Sequence, residues 1–534
     1  MEAKFSIFLT LIAVLAATAW FAKRVKVAPA ILLLLAGIAL AFVPGMPQLA
    51  LPPDVVLLGV LPPLIYSAGV AMSWREFRFS LRLITLLAVG CVIFTACLVA
   101  SATHYLIGLP WGVGFLLGAI VAPPDVVAPL AVARKLGLPR RLLVVLEGEG
   151  LANDATTLIL YRFAVAAITT GAFSLPKAAG TFVAILACEL AFGILVGWLS
   201  LRLRHRARDP QVEITLSLLT PYVAYLIPEH FGGSGVIATV ACGLYISWNG
   251  PLLIAAATRL QGIFFWDLVI YLVEGLLFLM TGFQMRALIE KSKAFPLAEI
   301  AAATVLVMVV IVVARFVWVY AAIYVPRMLS ADLRRRDPAP SWRWTFVVAF
   351  TGVRGAVSLA AALALPLTMM SGEVFPARDL ILFVSFNVIL ITLVGFGLGL
   401  PLVVKWLEIG EIGRRENITE REAELKARRE ALAGALASLD AMTDDRELSD
   451  EVVKILRTRH ESRSNQLPNG LDPEFDVLAL GTDLVRELIA EERKFIHAQL
   501  RDGKITDESR RRIERDLDLE EAGLINREYR RMPL

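Results

Sequence analysis

The chain has 534 residues, of which 57% are apolar and 19% are charged, and its formal net charge is +4. A soluble domain has no core large enough to bury so high an apolar fraction, and so small a net charge argues against a nucleic-acid partner. The composition predicts an integral membrane protein, and the dense Arg and Glu after about residue 405 predict a second, polar part.

Long apolar runs, bounded by charged residues, Pro or Gly, dominate the first three quarters of the chain. Their lengths of about 20 residues predict thirteen transmembrane helices in an all-α polytopic membrane domain over residues 1–405. The first run is interpreted as a retained span, because Glu2 lies in its leader and Lys23 and Arg24 follow it. The runs are 5–22, 27–44, 54–72, 82–104, 109–133, 141–170, 178–202, 211–228, 233–249, 260–284, 297–326, 342–367 and 378–405.

Lysine and arginine are concentrated in alternate loops, for example at Arg75, Arg140 and Arg334. The positive-inside rule places these loops in the cytoplasm, which puts the amino terminus outside a plasma membrane that the chain crosses many times. Residues 406–534 then form a cytoplasmic tail. Alternating charges and apolar residues at three- and four-residue spacing predict that this tail is a solvated helical module.

Two spans carry residues that interrupt a helix. In the fifth span, Pro123 and Pro124 precede Asp125, and in the twelfth span, Gly352 and Gly355 surround Arg354. Proline removes backbone donors, so a broken helix is expected at these positions. Because the two spans stand seven apart in order, spans 1–6 and 8–13 are predicted to form two inverted six-helix repeats. Secondary transporters bind their substrates where such broken helices cross.

The sixth span contains the polar run LEGEGLANDATTLILYRF, residues 146–163. On a helix, Glu149 and Asn153 share a face and Asp154 lies beside Asn153. Counting residues from the predicted cytoplasmic ends places these acids at the same depth as Asp125 and Arg315. We predict an ion pair between Glu149 and Arg315, since a buried guanidinium needs a partner.

That pairing leaves Asp154 without a partner, and an unpaired acid at membrane depth is by default a functional site. We expect H⁺ and a monovalent metal cation to compete for its carboxyl group. Arg354, with Thr351 close by, is expected to support the broken twelfth span among its freed carbonyl groups. A structural role, as interhelical bonds, dimer contacts or groups that snorkel to the membrane interface, is the first interpretation of four further polar residues, Arg162, Glu189, Asp267 and Glu274.

Four motifs stand in this order in the chain: LPPLIYSAG (61–69), APPD (122–125), EGLAND (149–154) and GVRGAVS (352–358). Together they resemble the sodium/proton exchangers, the first family of monovalent cation:proton antiporters. The resemblance covers about residues 5–405 and implies a homodimer in which a mobile six-helix core moves against a fixed dimer domain. An Asn-Asp pair implies electroneutral exchange of one cation for one proton.

By this resemblance Asp154 is the carrier of proton and cation, Asn153 stabilises it, Asp125 supports it, and Glu149 is the partner of Arg315.

The sequence departs from the family pattern at two positions, where Gly150 replaces a common serine and Ser67 replaces a common acid. We expect oxygen ligands from the Asp154 carboxylate, the Pro124 carbonyl group, Ser67 and water to hold Na⁺, K⁺ or Li⁺.

No cofactor and no enzymatic activity are expected. The sequence leaves open a passive cation channel, a K⁺-selective proton-coupled exchanger, and an intramembrane hydrolase that uses Asp125 and Asp154.

Overall fold

The computed structural model describes residues 2–25, 28–44, 52–171, 174–292, 296–369, 373–445, 450–465, 467, 477–502, 504 and 506–529. Within these residues the secondary structure is helical, apart from turns and one isolated antiparallel bridge between Thr368 and Val374. The predicted all-α membrane class is confirmed. Packing divides the chain into two units, one ending at Ile412 and one beginning at Gly413.

The helices of the first unit follow the apolar runs of the sequence. They are α1 (Glu2–Val25), α2 (Pro29–Ala41), α3 (Val55–Ala71), α4 (Trp74–Ile107), α5 (Trp111–Val121), α6 (Val127–Lys135), α7 (Arg140–Thr170), α8 (Leu175–Ala207), α9 (Pro210–His230), α10 (Val236–Leu253), α11 (Ala256–Phe283), α12 (Met285–Ser292), α13 (Leu297–Leu329), α14 (Ala331–Arg336), α15 (Trp342–Phe350), α16 (Ala356–Leu363) and α17 (Arg378–Trp406).

Seven helices within the described residues are long and apolar enough to cross a membrane. They are α4, α7, α8, α10, α11 extended to Glu290, α13 and α17. Four shorter apolar stretches lie in α1, α2, α3 and α5. Each predicted span coincides with one helix or with two half-helices, and the number that crosses a bilayer remains a prediction, as do the inverted repeats.

The fourth predicted span begins at residue 82, whereas α4 begins at Trp74. The Ser73 hydroxyl oxygen accepts the backbone N–H of Glu76 and so caps the earlier start, which a hydropathy scan overlooks because this turn is charged. A π-helical turn at Leu86–Cys91 interrupts α4. The Leu86 carbonyl group accepts the indole N–H of Trp318 at 2.8 Å, so α13 is joined to α4 at this irregular turn.

The helices of this unit pack in two groups. We call α4–α7, α13 and α15–α17 the core group, and α1–α3 with α8–α11 the scaffold group. Within the core group α4 packs on α5, α7 and α13, and within the scaffold group α10 packs on α3 and α8 while α11 packs on α2. Helix α7, which carries the polar run, contacts α4 and α5 on one side and α3 and α10 on the other.

The second unit holds most of the tail. Its helices are α18 (Ile409–Asp445, from Gly413 on), α19 (Asp450–Asn465), α20 (Val477–Arg501) and α21 (Asp507–Tyr529). Ile489 of α20 is buried against Leu517 and Leu524 of α21. Arg493 of α20 forms ion pairs with Asp518 and Glu521 of α21. These two helices therefore form a pair joined by a small apolar core and by exposed charges, whereas the predicted boundary at residue 405 remains a sequence-based expectation.

Candidate functional site

Two interrupted helices cross at the centre of the core group. Helix α5 ends at Val121 and α6 begins at Val127, while α15 ends at Phe350 and α16 begins at Ala356. The extended segments between them meet, because the backbone N–H of Asp125 donates to the carbonyl oxygen of Val353 at 2.7 Å. The Pro and Gly residues of both spans therefore leave four half-helix ends close to one another.

Arg315 and Glu149 form a buried, two-pronged ion pair. Arg315 Nη1 lies 2.7 Å from Glu149 Oε1, and Arg315 Nη2 lies 3.1 Å from Glu149 Oε2. Both side chains are almost fully buried, with 3% and 0% exposure. The same guanidinium also donates to the carbonyl oxygens of Val348 and Ala349, which belong to the last turn of α15. Arg315 thus neutralises one acid and caps a half-helix carboxyl end, where a cation is favourable.

Arg354 has the same role at the other half-helix carboxyl end. Its Nε donates to the Val121 carbonyl oxygen at 2.8 Å, and its Nη2 donates to the Ala122 carbonyl oxygen at 3.3 Å. Nη1 donates to the Gly352 carbonyl oxygen. Arg354 is 2% exposed, and this buried guanidinium donates its hydrogen bonds to carbonyl groups that the broken helices leave free.

Asp125 lies at the amino ends of the two second half-helices. Its Oδ1 accepts the backbone N–H of Val127, the first residue of α6, at 2.9 Å. Its Oδ2 approaches Gly355, the residue before α16, so closely that a Cβ built on that glycine would lie 2.0 Å from it. A carboxylate is favourable at helix amino ends. Asp125 therefore complements the two buried arginines and supports the crossing.

Asn153 joins α7 to this crossing. Its side-chain Nδ2 donates to the carbonyl oxygen of Pro124 at 2.7 Å, and the side chain is fully buried. Its Oδ1 is also buried and has no hydrogen-bond partner in the part of the chain that the structure describes. An acceptor oxygen without a donor therefore lies one residue from Asp154, and a cation or a bound proton donor would satisfy it.

Asp154 is partly exposed and borders a cavity. Across the described residues, no group donates a hydrogen bond to its carboxylate and no cation pairs with it. Among the described charged groups, the carboxylate of Asp125 acts on it electrostatically. Glu149 lies about one turn away on the same helix, but its carboxylate is fully paired with Arg315. The sixth span thus carries one acid that is paired within the protein and one acid without a partner among the described residues.

The cavity lies between the core group and the scaffold group and has a volume of about 760 Å³. The core-group wall includes Asp125, Asp154 and Gly355, and the scaffold-group wall is formed mainly by α3 and α11. Arg134, which is paired with Glu147 at 2.6 Å, lies along the same wall below Asp154. The carboxyl groups of Asp125 and Asp154 therefore border this cavity beside the helix crossing.

The remaining predicted ligands lie around this cavity with other partners. Ser67 borders it, and its hydroxyl donates to the Leu64 carbonyl oxygen at 3.4 Å. The Pro124 carbonyl group accepts from Asn153, as described above. Thr351 is buried and donates to the Val348 carbonyl oxygen at 2.9 Å, which adds to the support of α15. The Ser67 hydroxyl and the Pro124 carbonyl group are thus used within the protein in this conformation.

Two residues interpreted first as helix contacts do connect helices. Glu189 of α8 is buried and accepts the backbone N–H groups of Ser234, Gly235 and Ile237 at the start of α10. Arg162 of α7 pairs with Glu229 at the end of α9.

Asp267 and Glu274 of α11 instead border the cavity that holds Asp154. Sequence reasoning missed this position, because α11 is apolar on nearly all sides and its pattern does not identify the cavity face.

The sequence matches known transporters over the whole crossing. A family model described as "Sodium/hydrogen exchanger, transmembrane" matches residues 10–406. An uncharacterized Na⁺/H⁺ exchanger of Mycobacterium tuberculosis is 35% identical over 514 residues, which cover 94% of this chain and 93% of the relative. A sodium, potassium, lithium and rubidium/H⁺ antiporter of Bacillus pumilus is 32% identical over 79% of this chain and 64% of that protein. A Na⁺/H⁺ antiporter of Aphanothece halophytica is 31% identical over 82% of this chain and 79% of that protein.

The fold has a counterpart among solved structures. The sodium proton antiporter MjNhaP1 from Methanocaldococcus jannaschii, solved at pH 8, aligns with a TM-score of 0.54. The alignment covers 77% of this chain and 98% of that chain, at 18% sequence identity. At this identity the likeness concerns the fold alone, and it includes nearly the entire length of that protein.

Proposed function

Since this chain belongs to the sodium/hydrogen exchanger family, we propose that it exchanges a monovalent cation for H⁺ across the membrane, with Asp154 binding either ion in turn. Cation/proton exchange is the activity for which its relatives are named, and one of them is named for Na⁺, K⁺, Li⁺ and Rb⁺. Na⁺, K⁺ and Li⁺ are therefore the cations that we propose for this chain, without a cofactor.

The unpaired carboxylate of Asp154 is the observation that carries this proposal. A buried acid with a protein cation as partner would have little to gain from a transported ion, and Glu149 is such an acid. Asp154 borders the cavity and has no such partner among the described residues. A hard cation prefers oxygen ligands, and the Asp154 carboxylate supplies them at the cavity. Binding of H⁺ and binding of the cation then exclude each other.

The charges along the cavity support an inward-facing conformation. Arg134, Arg204 and Arg259 border it, and all three lie at helix ends that the positive-inside rule assigns to the cytoplasm. The ion pair between Arg162 and Glu229 lies toward the opposite end of α7. We propose that the core group moves against the scaffold group to expose Asp154 to the other side.

Two finer parts of the proposal rest on the family resemblance, and a third, the orientation, rests on the positive-inside rule. The Asn153-Asp154 pair favours electroneutral exchange of one cation for one proton. The protein is proposed to work as a homodimer in the plasma membrane. Its amino terminus is proposed to lie outside and its tail in the cytoplasm.

Counterflow in vesicles tests the proposal. The full chain is reconstituted into liposomes that contain a pH-sensitive dye, and gradients of Na⁺, K⁺ and Li⁺ are imposed in turn, with the membrane potential clamped at zero and then at a negative value. We expect proton counterflow that saturates with cation concentration and has the same rate at both potentials. A counterflow rate that depends on the membrane potential contradicts the one-for-one exchange but remains consistent with antiport.

The rival functions give different results in the same preparation. A passive channel gives ion flux that does not saturate, with current and without obligatory proton movement. An intramembrane hydrolase cleaves peptides and gives no cation-driven proton movement. Absence of proton counterflow with all three cations contradicts the proposed function.

A further inference from the structure

Three arginines converge on one carboxylate at the predicted cytoplasmic ends of the core group. Arg82 of α4, Arg141 of α7 and Arg327 of α13 all pair with Asp337, at 3.1, 2.6 and 2.6 Å. Arg327 also donates to the Asp337 backbone carbonyl oxygen at 3.0 Å and to the Ile323 carbonyl oxygen. We call Arg82, Arg141, Arg327 and Asp337 the arginine cluster. It connects three core-group helices to the loop after α14.

Charge and hydrogen bonding within the arginine cluster are both incomplete. Three guanidinium groups share one carboxylate, which leaves two positive charges unbalanced, and Arg82 and Arg141 each oppose the charge of Arg327. Arg82 Nη1 and Arg141 Nε are buried and have no hydrogen-bond partner among the described residues. Neutral acceptors would satisfy these two donors and leave the charge unbalanced. An anion satisfies both.

We infer that the arginine cluster binds the phosphate group of an anionic ligand through Arg82 and Arg141. Guanidinium groups fit phosphate oxygens in a planar, two-pronged arrangement, and phosphate offers several acceptor oxygens to donors from different helices. Basic pockets between transmembrane helices on the cytoplasmic side are where anionic lipid headgroups bind. The activity proposed above requires no such site, so this inference is independent of it.

A phospholipid headgroup and free phosphate share this chemistry. The neighbouring surface favours the lipid, because the Arg141 guanidinium lies 5.3 Å from the ring centre of Phe79, which is 63% exposed. Arg82 and Arg141 are each about one-third exposed, so a ligand reaches the outer part of their guanidinium groups from outside the helix group. These side chains must turn for Arg82 Nη1 and Arg141 Nε, which are buried, to reach the same ligand. An exposed aromatic ring beside a basic pocket fits the start of an acyl chain.

Thermal unfolding of the purified full chain in a neutral detergent tests the inference. Phosphatidylglycerol, phosphatidylcholine and sodium phosphate are added at equal phosphate concentration. We expect phosphatidylglycerol to raise the melting temperature by several degrees and phosphatidylcholine to leave it unchanged, because a ligand that binds only the folded state stabilises it. An equal rise with sodium phosphate supports the site and identifies free phosphate as the ligand.

The variant Arg82→Gln/Arg141→Gln should lose this rise. Arg286→Gln/Arg343→Gln is the charge-matched control, since it also removes two arginines that are partly exposed, and it should keep the rise. If the first variant does not fold, Arg82→Lys replaces it, which keeps the charge but removes the planar group, and the rise should shrink. A melting temperature that responds to neither anion, or equally in the cluster variant and the control, overturns the inference. Exchange activity is not measured, so failure here leaves the proposed function untouched.

Discussion

Asn153 Nδ2 lies 2.7 Å from the carbonyl oxygen of Pro124 and is a hydrogen-bond link between the unbroken helix α7 and the break between α5 and α6. Asn153→Ala removes this donor and leaves a buried carbonyl group unpaired, at a cost of about 1–3 kcal/mol. We expect a lower melting temperature and a clear loss of exchange rate in liposomes.

Asn387→Ala is the matched control for this link. Asn387 donates to the Thr304 hydroxyl at 3.3 Å, also between two helices of the core group, but away from the crossing. It should lose stability without a comparable loss of exchange. Equal loss of exchange in both variants would show that the Asn153 link has no special role.

Asp154→Asn should abolish exchange while the protein still inserts and melts normally. The amide keeps the shape of the side chain but does not take up a proton as a carboxylate does, and no described residue depends on this carboxylate for a hydrogen bond. Cation-driven proton counterflow and the melting temperature are measured together. Asp267→Asn is the control, because it removes an exposed acid from the border of the same cavity and should retain exchange. Exchange by Asp154→Asn would remove this residue from the site.

The pair formed by Glu149 and Arg315 should matter more for folding than for ion binding. Either Glu149→Leu or Arg315→Met leaves one buried charge alone, which costs about 3–5 kcal/mol, whereas removing both charges is often close to neutral. We expect each single variant to melt well below the double variant, as thermal unfolding in detergent will show. Additive losses in the double variant would mean that the two side chains are not coupled.

Gly355→Ala tests how closely Asp125 must approach the start of α16. The added Cβ would lie 2.0 Å from Asp125 Oδ2 and 2.5 Å from Asp125 Cβ, so the carboxylate must shift and its bond to the Val127 N–H is strained. We expect a higher KM for the cation and a lower melting temperature.

Gly395→Ala in α17 provides the comparison, because its Cβ would meet no atom within 4 Å. It should be neutral or stabilising by up to about 1 kcal/mol. If Gly355→Ala behaves like Gly395→Ala, the close approach of the Asp125 carboxylate to Gly355 is not needed for exchange or for stability.

Much of the crossing could be predicted because its signals are local. Proline and glycine in the fifth and twelfth spans mark the breaks, and counting residues from charged loops gives the depth of each polar side chain. The counted depths of Glu149 and Arg315 are the same, and on that basis we predict their pairing. In the structure, Arg315 Nη1 lies 2.7 Å from Glu149 Oε1. The breaks likewise suggested free carbonyl groups for Arg354, and it donates to three of them.

Features that depend on rotation or on distant loops could not be predicted in the same way. The cavity positions of Asp267 and Glu274 depend on which side of α11 faces the core group, and an almost uniformly apolar helix carries no such information. The arginine cluster depends on a contact between Arg82 and Asp337, which are 255 residues apart, and no spacing rule connects them.

The two interrupted helices are joined by buried hydrogen bonds. The Asp125 N–H donates to the Val353 carbonyl oxygen, and the Arg354 side chain donates to the Val121 carbonyl oxygen, so the two helices form one rigid unit. Movement of one interrupted helix without the other would break these buried hydrogen bonds, so both must move together. A cation on Asp154 would then keep the oxygen neighbours that the core group supplies, whereas Ser67 of the scaffold group would change its distance from the ion. A difference between the dissociation constants of the cation on the two faces of the bilayer would then arise from the scaffold group, against which this unit moves.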